Sequence, residues 1–400
     1  MKYIVLLGDG MSDEALKELD GKTPLQAART PNMDTMARRG RIGLARTVPK
    51  GLPPGSDVAN LSVFGYDPRS CYTGRSPLEA ASMGVHLGPD DVAFRVNLVH
   101  LQPTKGTLVM DDYSAGHITT DEGRELIEAI QQQLGGDEFQ FYPGVGYRHL
   151  MVWRNGKSGM TVTPPHDISG QSILDYLPKG DGADQLINLM NSSQLIFNNH
   201  PQYRRRLDAG KVPANSIWLW GHGKPPRIEL FRDKFGLTGA VISAVDLIKG
   251  IGIAAGLDVV RVEGATGYID TNYEGKVQTA LEALESHDYV YLHVEAPDEA
   301  SHSGNLAHKL QAIEDFDSRV VGPIMEGIRR FGSYRILCTP DHPTPIRLRT
   351  HTDAPVPFIL YDGGQGGNNS STVGYDEDSA RASGLVLEEG HRLMQLLLEQ

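Results

Sequence analysis

Aliphatic and β-branched residues gather in short runs that stop abruptly at polar positions, most clearly at Tyr3 to Leu7, Asp288 to Val294 and Tyr334 to Cys338. Continuous apolar runs of this length predict buried parallel strands. Between them the spacing lengthens to a helical period at Lys276 to Glu285 and at Leu306 to Arg330. The second stretch carries Leu310, Ile313, Phe316, Val320 and Ile324 on one stripe. Strand and helix alternation predicts a doubly wound α/β core. The middle of the chain changes character. Ala93 to Leu101, Thr107 to Asp111, Gln140 to Arg154 and Met160 to Thr163 read as strands around one helix, Asp121 to Leu134. That is an α+β pattern, so the expected organisation is a core of residues 1–91 and 173–400 with an inserted α+β domain at 92–172. Gly170, Gly180 and Gly182 punctuate the far side of the insertion, after which Trp218-Leu219-Trp220 resumes strand character. Heptads, low-complexity tracts and repeats are absent, and Gly363 to Ser371, rich in Gly, Asn and Ser, reads as a surface loop.

Length and charge narrow the function classes. The 400 residues suit two to three domains of about 150 residues, or one large domain with an insertion. Lys plus Arg is 38 and Asp plus Glu is 50, so the net charge is −12, which argues against nucleic acid as the main partner. A mean hydropathy of −0.31 and the lack of a long apolar run argue against a membrane-spanning protein. Two cysteines, Cys71 and Cys338, rule out a disulfide framework and read as buried thiols. The opening MKYIVLLGDGMSDE ends its apolar run in Gly and Asp without a cleavage site, so it reads as a first strand of a cytoplasmic protein.

Candidate chemistry sits where the strands end. Asp9 follows the first strand in LLGDGM, the place where open α/β sheets put their ligands, although a turn Asp before Gly is an equally ordinary reading there. In VEAPDEASHSG, Asp298 and His302 stand at D-x-x-x-H spacing, which on one helical turn projects both side chains from the same face. A third strand delivers Asp341 and His342 in TPDHPTP, followed by His351 in RTHTDAPVPF. Carboxylate and imidazole without thiolate predict a divalent metal site that suits Mn²⁺ or Zn²⁺ better than Mg²⁺ or copper. So many ligands exceed one tetrahedral ion and point to a two-metal centre. In PPGSDVANLS, Ser56 opens a predicted helix, whose free N–H groups suit a phosphate, so its hydroxyl is the candidate nucleophile; the alternative is a plain N-cap.

With these residues in view, the chain resembles the archaeal-type cofactor-independent (2,3-bisphosphoglycerate-independent) phosphoglycerate mutases of the alkaline phosphatase superfamily. The resemblance runs through GDGM, PGSDVANLSVFGYDP, YTGRSPLEAASMGV, AFRVNL, YSAGHI, GYRHL, TPPHDI, EAPDEASHSG, PDHPTP and THTDAPVPF, which together span nearly the whole chain. It implies an alkaline-phosphatase-like core with a small inserted domain and an exchange of 2- and 3-phosphoglycerate through phosphorylated Ser56. It also implies Asp298, His302 and His351 on one metal, and Asp9, Asp341, His342 and Ser56 on the other, with neither nucleotide nor 2,3-bisphosphoglycerate required. A phosphorylated small molecule is then the expected partner, with no nucleic acid and no membrane. Asn60 stands where longer bacterial mutases have His, and WLWGHG departs from the Arg-containing stretch of archaeal members. The insertion adds Arg95, His117, Arg148, His149, His166 and Asp167 as candidates for holding carboxylate and phosphate groups and for keeping water from the phosphoserine. Three other readings stand beside this one: a homoserine-kinase-like enzyme, a metal-dependent phosphatase, and a non-catalytic metal-binding protein. The sequence has no G-x-x-x-x-G-K-[ST] loop, which weakens only a P-loop kinase.

Overall fold

The apolar runs form the sheet that positions everything else. A computed structural model describes residues 1–104, 106–363 and 374–399. Among them, an eight-stranded sheet runs in the order Asp258–Val259, Gly239–Ile242, Tyr289–Val294, Lys2–Gly8, Tyr334–Thr339, Val356–Asp362, Arg41–Ala45, Val386–Leu387. Lys2–Gly8 pairs in parallel with both central neighbours, Leu7 lying opposite His293 on one side and Thr339 on the other. Val356–Asp362 is antiparallel to both its neighbours. Three central strands therefore end at the same edge, and each matches its predicted run to within one residue at either end.

The helix Tyr273–Ser286 and the long segment from Leu306 cover one face of this sheet through Val277, Ala280, Ile313, Phe316, Val320 and Ile324. The predicted helix at Leu306 to Arg330 is helical throughout but not uniform, because Phe316–Val321 is a π turn. Within that turn, the buried Asp317 carboxylate accepts the Met33 N–H at 2.7 Å and the Asn32 N–H at 3.2 Å. It thereby satisfies free donors at the start of helix Pro31–Arg39, which lacks a side-chain cap of its own.

The chain divides into two compact units, residues 1–72 with 227–400, and residues 73–226. The second unit is wider on both sides than the expected 92–172 insertion. Strand Ser216–Gly223, assigned from sequence to the core, pairs antiparallel with Val92–Thr104 in this unit's five-stranded sheet. Helix Ala183–Asn199 buries Leu186, Leu189, Met190 and Phe197 in the same core. The stretch read as one strand over Gln140 to Arg154 is a hairpin, Phe139–Val145 and Arg148–Trp153, turning at Gly146 with φ of +60°. The remaining predicted elements recur as Thr107–Asp112, Thr120–Leu134 and Met160–Thr161. The Gly363 to Ser371 loop lies, from residue 364 on, outside the described residues. Cys71 and Cys338 are buried free thiols.

Candidate functional site

At the shared edge of the three central strands, Asp9, Asp341 and His342 are fully buried and Asp298 nearly so. Asp9 is the first residue past its strand. Gly10 follows with φ of +62°, and its N–H donates to Asp341 Oδ1 at 3.2 Å. A Cβ there would stand 2.6 Å from Asp298 Oδ1 and 2.7 Å from Thr344 Oγ1, so only glycine lets these carboxylates converge.

Asp298 and His302 occupy one face of the short helix Ala296–His302, His302 Nε2 lying 3.1 Å from Asp298 Oδ2. His351 Nε2 is 2.8 Å from His302 Nε2 and 3.6 Å from Asp298 Oδ1. The ring of His302 is oriented by the Arg349 carbonyl, 2.9 Å from Nδ1. His342 Nε2 reaches three groups: Ser56 Oγ at 3.1 Å, Asp341 Oδ2 at 3.3 Å and Asp9 Oδ1 at 3.6 Å. Thr344 Oγ1 donates to Asp298 Oδ1 and lies 3.2 Å from His342 Nδ1, joining the two halves of the cluster.

Ser56 is not the N-cap. That position belongs to Gly55, and Ser56 is the first residue of helix Ser56–Val63, with its hydroxyl turned to His342. One turn later, Asn60 Nδ2 donates to Asp341 Oδ2 and to the Ser56 carbonyl, both at 2.8 Å, and Tyr291 O–H donates to its Oδ1.

Three sets of side chains bring ligand atoms within 4.8 Å of one another: Asp298, His342 and His351; Asp9, Asp341 and His342; and Asp9, His293 and Glu295. Sequence reasoning missed His293 and Glu295. A histidine inside the apolar YVYLHV run was the available signal, since a buried polar residue in a strand needs a partner.

The electrostatics call for positive charge. Burial first, then repulsion from Asp341, Asp298 and Glu295, pushes the Asp9 carboxyl well above the ordinary range. Burial would also raise Asp298, but hydrogen bonds from His302 and His351 hold it well below. Its bond to Asp298 lifts the His302 imidazole to about 9. Asp9 Oδ1 is buried with no hydrogen-bond partner, so this donor set lacks a cationic complement, and a divalent ion fits it.

The candidate anion-binding residues all fall in the 73–226 unit, but not as one group. Arg95 is held by Glu79, 3.1 Å from its Nε, and lies 4.5 Å over the Trp220 ring. Burial, with the charges of Arg75 and Arg148 nearby, lowers its guanidinium to about 10. His166 is lowered by burial and by the charges of the same three arginines, and its ring sits 5.4 Å from Trp220. Arg148 is exposed and lies over Tyr147. Arg75 and Trp220 therefore join Arg95, Arg148 and His166, and neither was singled out from sequence. His117 and Asp167 are exposed; His117 meets the Tyr147 ring edge, and Asp167 lies 3.6 Å from His166 Nε2. His149, unlike Arg148, is buried, 4% exposed, and its Nδ1 accepts the Gly144 N–H at 2.9 Å, which ties it to the hairpin.

Comparisons with known proteins agree along the whole chain. Residues 37–203 match a family model described as 2,3-bisphosphoglycerate-independent phosphoglycerate mutase. The chain is 79% identical over the full length of both chains to a probable 2,3-bisphosphoglycerate-independent phosphoglycerate mutase of Geobacter sulfurreducens. It is 54% identical, again over the full length of both, to the 2,3-bisphosphoglycerate-independent phosphoglycerate mutase of Methanothrix thermoacetophila. Among solved structures, a Pyrococcus horikoshii protein superposes with a TM-score of 0.84 at 30% identity, covering 100% of this chain and 96% of that one. The cofactor-independent phosphoglycerate mutase of Thermoplasma acidophilum gives 0.65 at 26% identity, covering 100% and 99%.

Proposed function

Because the chain belongs to the family of 2,3-bisphosphoglycerate-independent phosphoglycerate mutases, we propose that it exchanges 2- and 3-phosphoglycerate by passing the phosphoryl group through Ser56. The observation that carries this reading is the Ser56 hydroxyl. It opens a helix, takes no part in capping it, and lies 3.1 Å from His342 Nε2 on the rim of the carboxylate and imidazole cluster.

Asp298, His302 and His351 would hold one divalent cation, and Asp9, Asp341, His342 and Ser56 a second. The donor set suits Mn²⁺ or Zn²⁺. Such ions supply charge for the phosphoryl oxygens and lower the pKa of a neighbouring hydroxyl. Ser56 Oγ bonds to phosphorus as the P–O bond to the glycerate oxygen breaks, and the proton lost from Ser56 is balanced by one taken up on that oxygen, leaving phosphoserine and glycerate. The return step reverses this on glycerate's other hydroxyl, so no phosphoryl donor is consumed and no phosphate is released. Asn60 bonds the Ser56 carbonyl and the Asp341 carboxylate together, which fixes the first helical turn relative to the ligand beside it. Arg75, Arg95 and Arg148 concentrate positive charge in an otherwise acidic protein, and forked guanidinium groups match the substrate's carboxylate and phosphate. Arg95 is pre-oriented for this by Glu79 and Trp220.

The test is to incubate the protein with phosphoglycerate labelled on phosphorus and map the labelled peptide. Label on Ser56, with Ser56→Ala folded, metal-binding and at least 10³-fold slower, is the expected result. Near-normal exchange by Ser56→Ala overturns the phosphoserine route.

A further inference from the structure

His293 is fully buried on the apolar strand Tyr289–Val294, and the two-ion reading gives it no role. Its Nε2 lies 2.9 Å from Asp9 Oδ2 and its Nδ1 lies 3.1 Å from Ser243 Oγ. The Lys276 ammonium holds its carbonyl at 2.9 Å. Ser243 Oγ accepts the Val245 N–H at 3.0 Å. Among the described residues its own hydrogen has no acceptor other than His293 Nδ1.

These contacts fix the direction of the chain. As an ion-binding carboxylate Asp9 is ionised and its Oδ2 can only accept, so the nitrogen facing it must bear the hydrogen. Nδ1 must then be bare, because a hydrogen there would leave the buried Ser243 hydroxyl without an acceptor. The order is Ser243 O–H to His293 Nδ1, then His293 Nε2–H to Asp9 Oδ2. This engages one Asp9 oxygen and leaves Oδ1, which has no hydrogen-bond partner, 3.6 Å from His342 Nε2.

We propose that His293 is a positioning residue, not an ion ligand: through Nε2–H it orients the Asp9 carboxylate so that Oδ1 points into the ion site, and Ser243 selects the tautomer that can do so. The inference rests on the metal reading above. It differs from the other arrangement the geometry offers, in which Asp9, His293 and Glu295 together hold a third ion.

Long-range nitrogen–proton NMR of the full-length protein, with ¹⁵N-labelled histidine rings, reads the tautomer directly in the chelated state and then during addition of Zn²⁺. A ring with bare Nδ1 and protonated Nε2, identified by its loss in His293→Gln and unmoved in type by Zn²⁺, is expected, while His302, His342 and His351 change. Competition with a chelating dye should show Zn²⁺ affinity falling about 10- to 100-fold in His293→Leu, the range typical for a lost partner of a metal ligand. His293→Gln, whose amide can donate in place of Nε2, should lose less, and Ser243→Ala should give a tautomer mixture. A Zn²⁺ shift on His293 Nε2, or three ions bound by the native chain and two by His293→Gln, would establish the third-ion arrangement and overturn the proposal. So would folded His293→Leu with native affinity. If His293→Leu does not fold, the native tautomer and Ser243→Ala decide alone. A native chain that takes up no ion would instead defeat the metal reading itself.

Discussion

Replacing His149 with Asn isolates one pH-dependent contribution to the stability of the 73–226 unit. Burial depresses this imidazole to about 3, and its Nε2 has no hydrogen-bond partner. A depressed histidine favours the folded state above the unfolded pKa of about 6.5, and that advantage drains away as the pH falls through the window toward 3. At pH 5 the unfolded ring is almost fully protonated and the folded ring is not, so this one residue should cost about 2 kcal/mol of stability relative to pH 8. In His149→Asn the amide oxygen can still accept the Gly144 N–H, but no titrating group remains. The variant should start about 1–3 kcal/mol below the native protein at pH 8, because the smaller side chain leaves a cavity. The gap should then close by about 2 kcal/mol by pH 5, a difference that cancels the titration of every carboxyl common to both proteins. Urea unfolding followed by tryptophan fluorescence is the assay. All three tryptophans, Trp153, Trp218 and Trp220, lie in the 73–226 unit, so the signal reports that unit. A gap that stays constant from pH 8 to pH 5 would refute the reasoning.

Gly10→Ala should lose bound metal while keeping most of its fold, because the new Cβ would drive Asp298 and Thr344 apart from a backbone held at φ of +62°; elemental analysis after Mn²⁺ loading should fall well below two ions per chain. Arg148→Ala should raise KM for phosphoglycerate at least 10-fold while shifting stability by no more than about 0.5 kcal/mol, since the side chain is exposed; a stability collapse with normal turnover would make Arg148 structural.

What could be read from the sequence divides along physical lines. Asp9, Asp298, His302, Asp341 and His342 were legible because they closely follow apolar runs, and the ends of parallel strands are where such a sheet exposes side chains to a ligand; His351 was reached as the next histidine after His342, ahead of the run Val356–Asp362. The width of the second unit was not, because Trp218-Leu219-Trp220 has the same apolar character whether its strand joins one sheet or the other. Its antiparallel register against Val92–Thr104 is a long-range choice that no local pattern encodes. His293 was hidden for a related reason: periodicity reads a strand interior as core and asks nothing of a single polar residue within it. His149 misled in the opposite sense: it is buried beside exposed Arg148, and burial continues without alternation from His149 to Trp153, so a two-residue period could not have separated the two. The Asp317 carboxylate on the Met33 N–H joins positions 284 residues apart, and so leaves no local trace.

The interrupted course of the 1–72 and 227–400 unit sets an order of events during synthesis. Lys2–Gly8 emerges from the ribosome well before both strands that flank it, Tyr289–Val294 and Tyr334–Thr339, which follow it by more than about 280 residues of chain. At about 5–20 residues per second, its second partner arrives about 15–65 s later. In that interval residues 73–226 can complete their own sheet, while the apolar YIVLL segment waits unpaired and exposed to aggregation. Asp9, Asp298 and Asp341 stand just past the ends of these same three strands, so the ion-binding cluster cannot form until synthesis has passed His351. Nascent chains arrested before residue 334 should therefore resist protease across 73–226 and remain cleavable near their beginning.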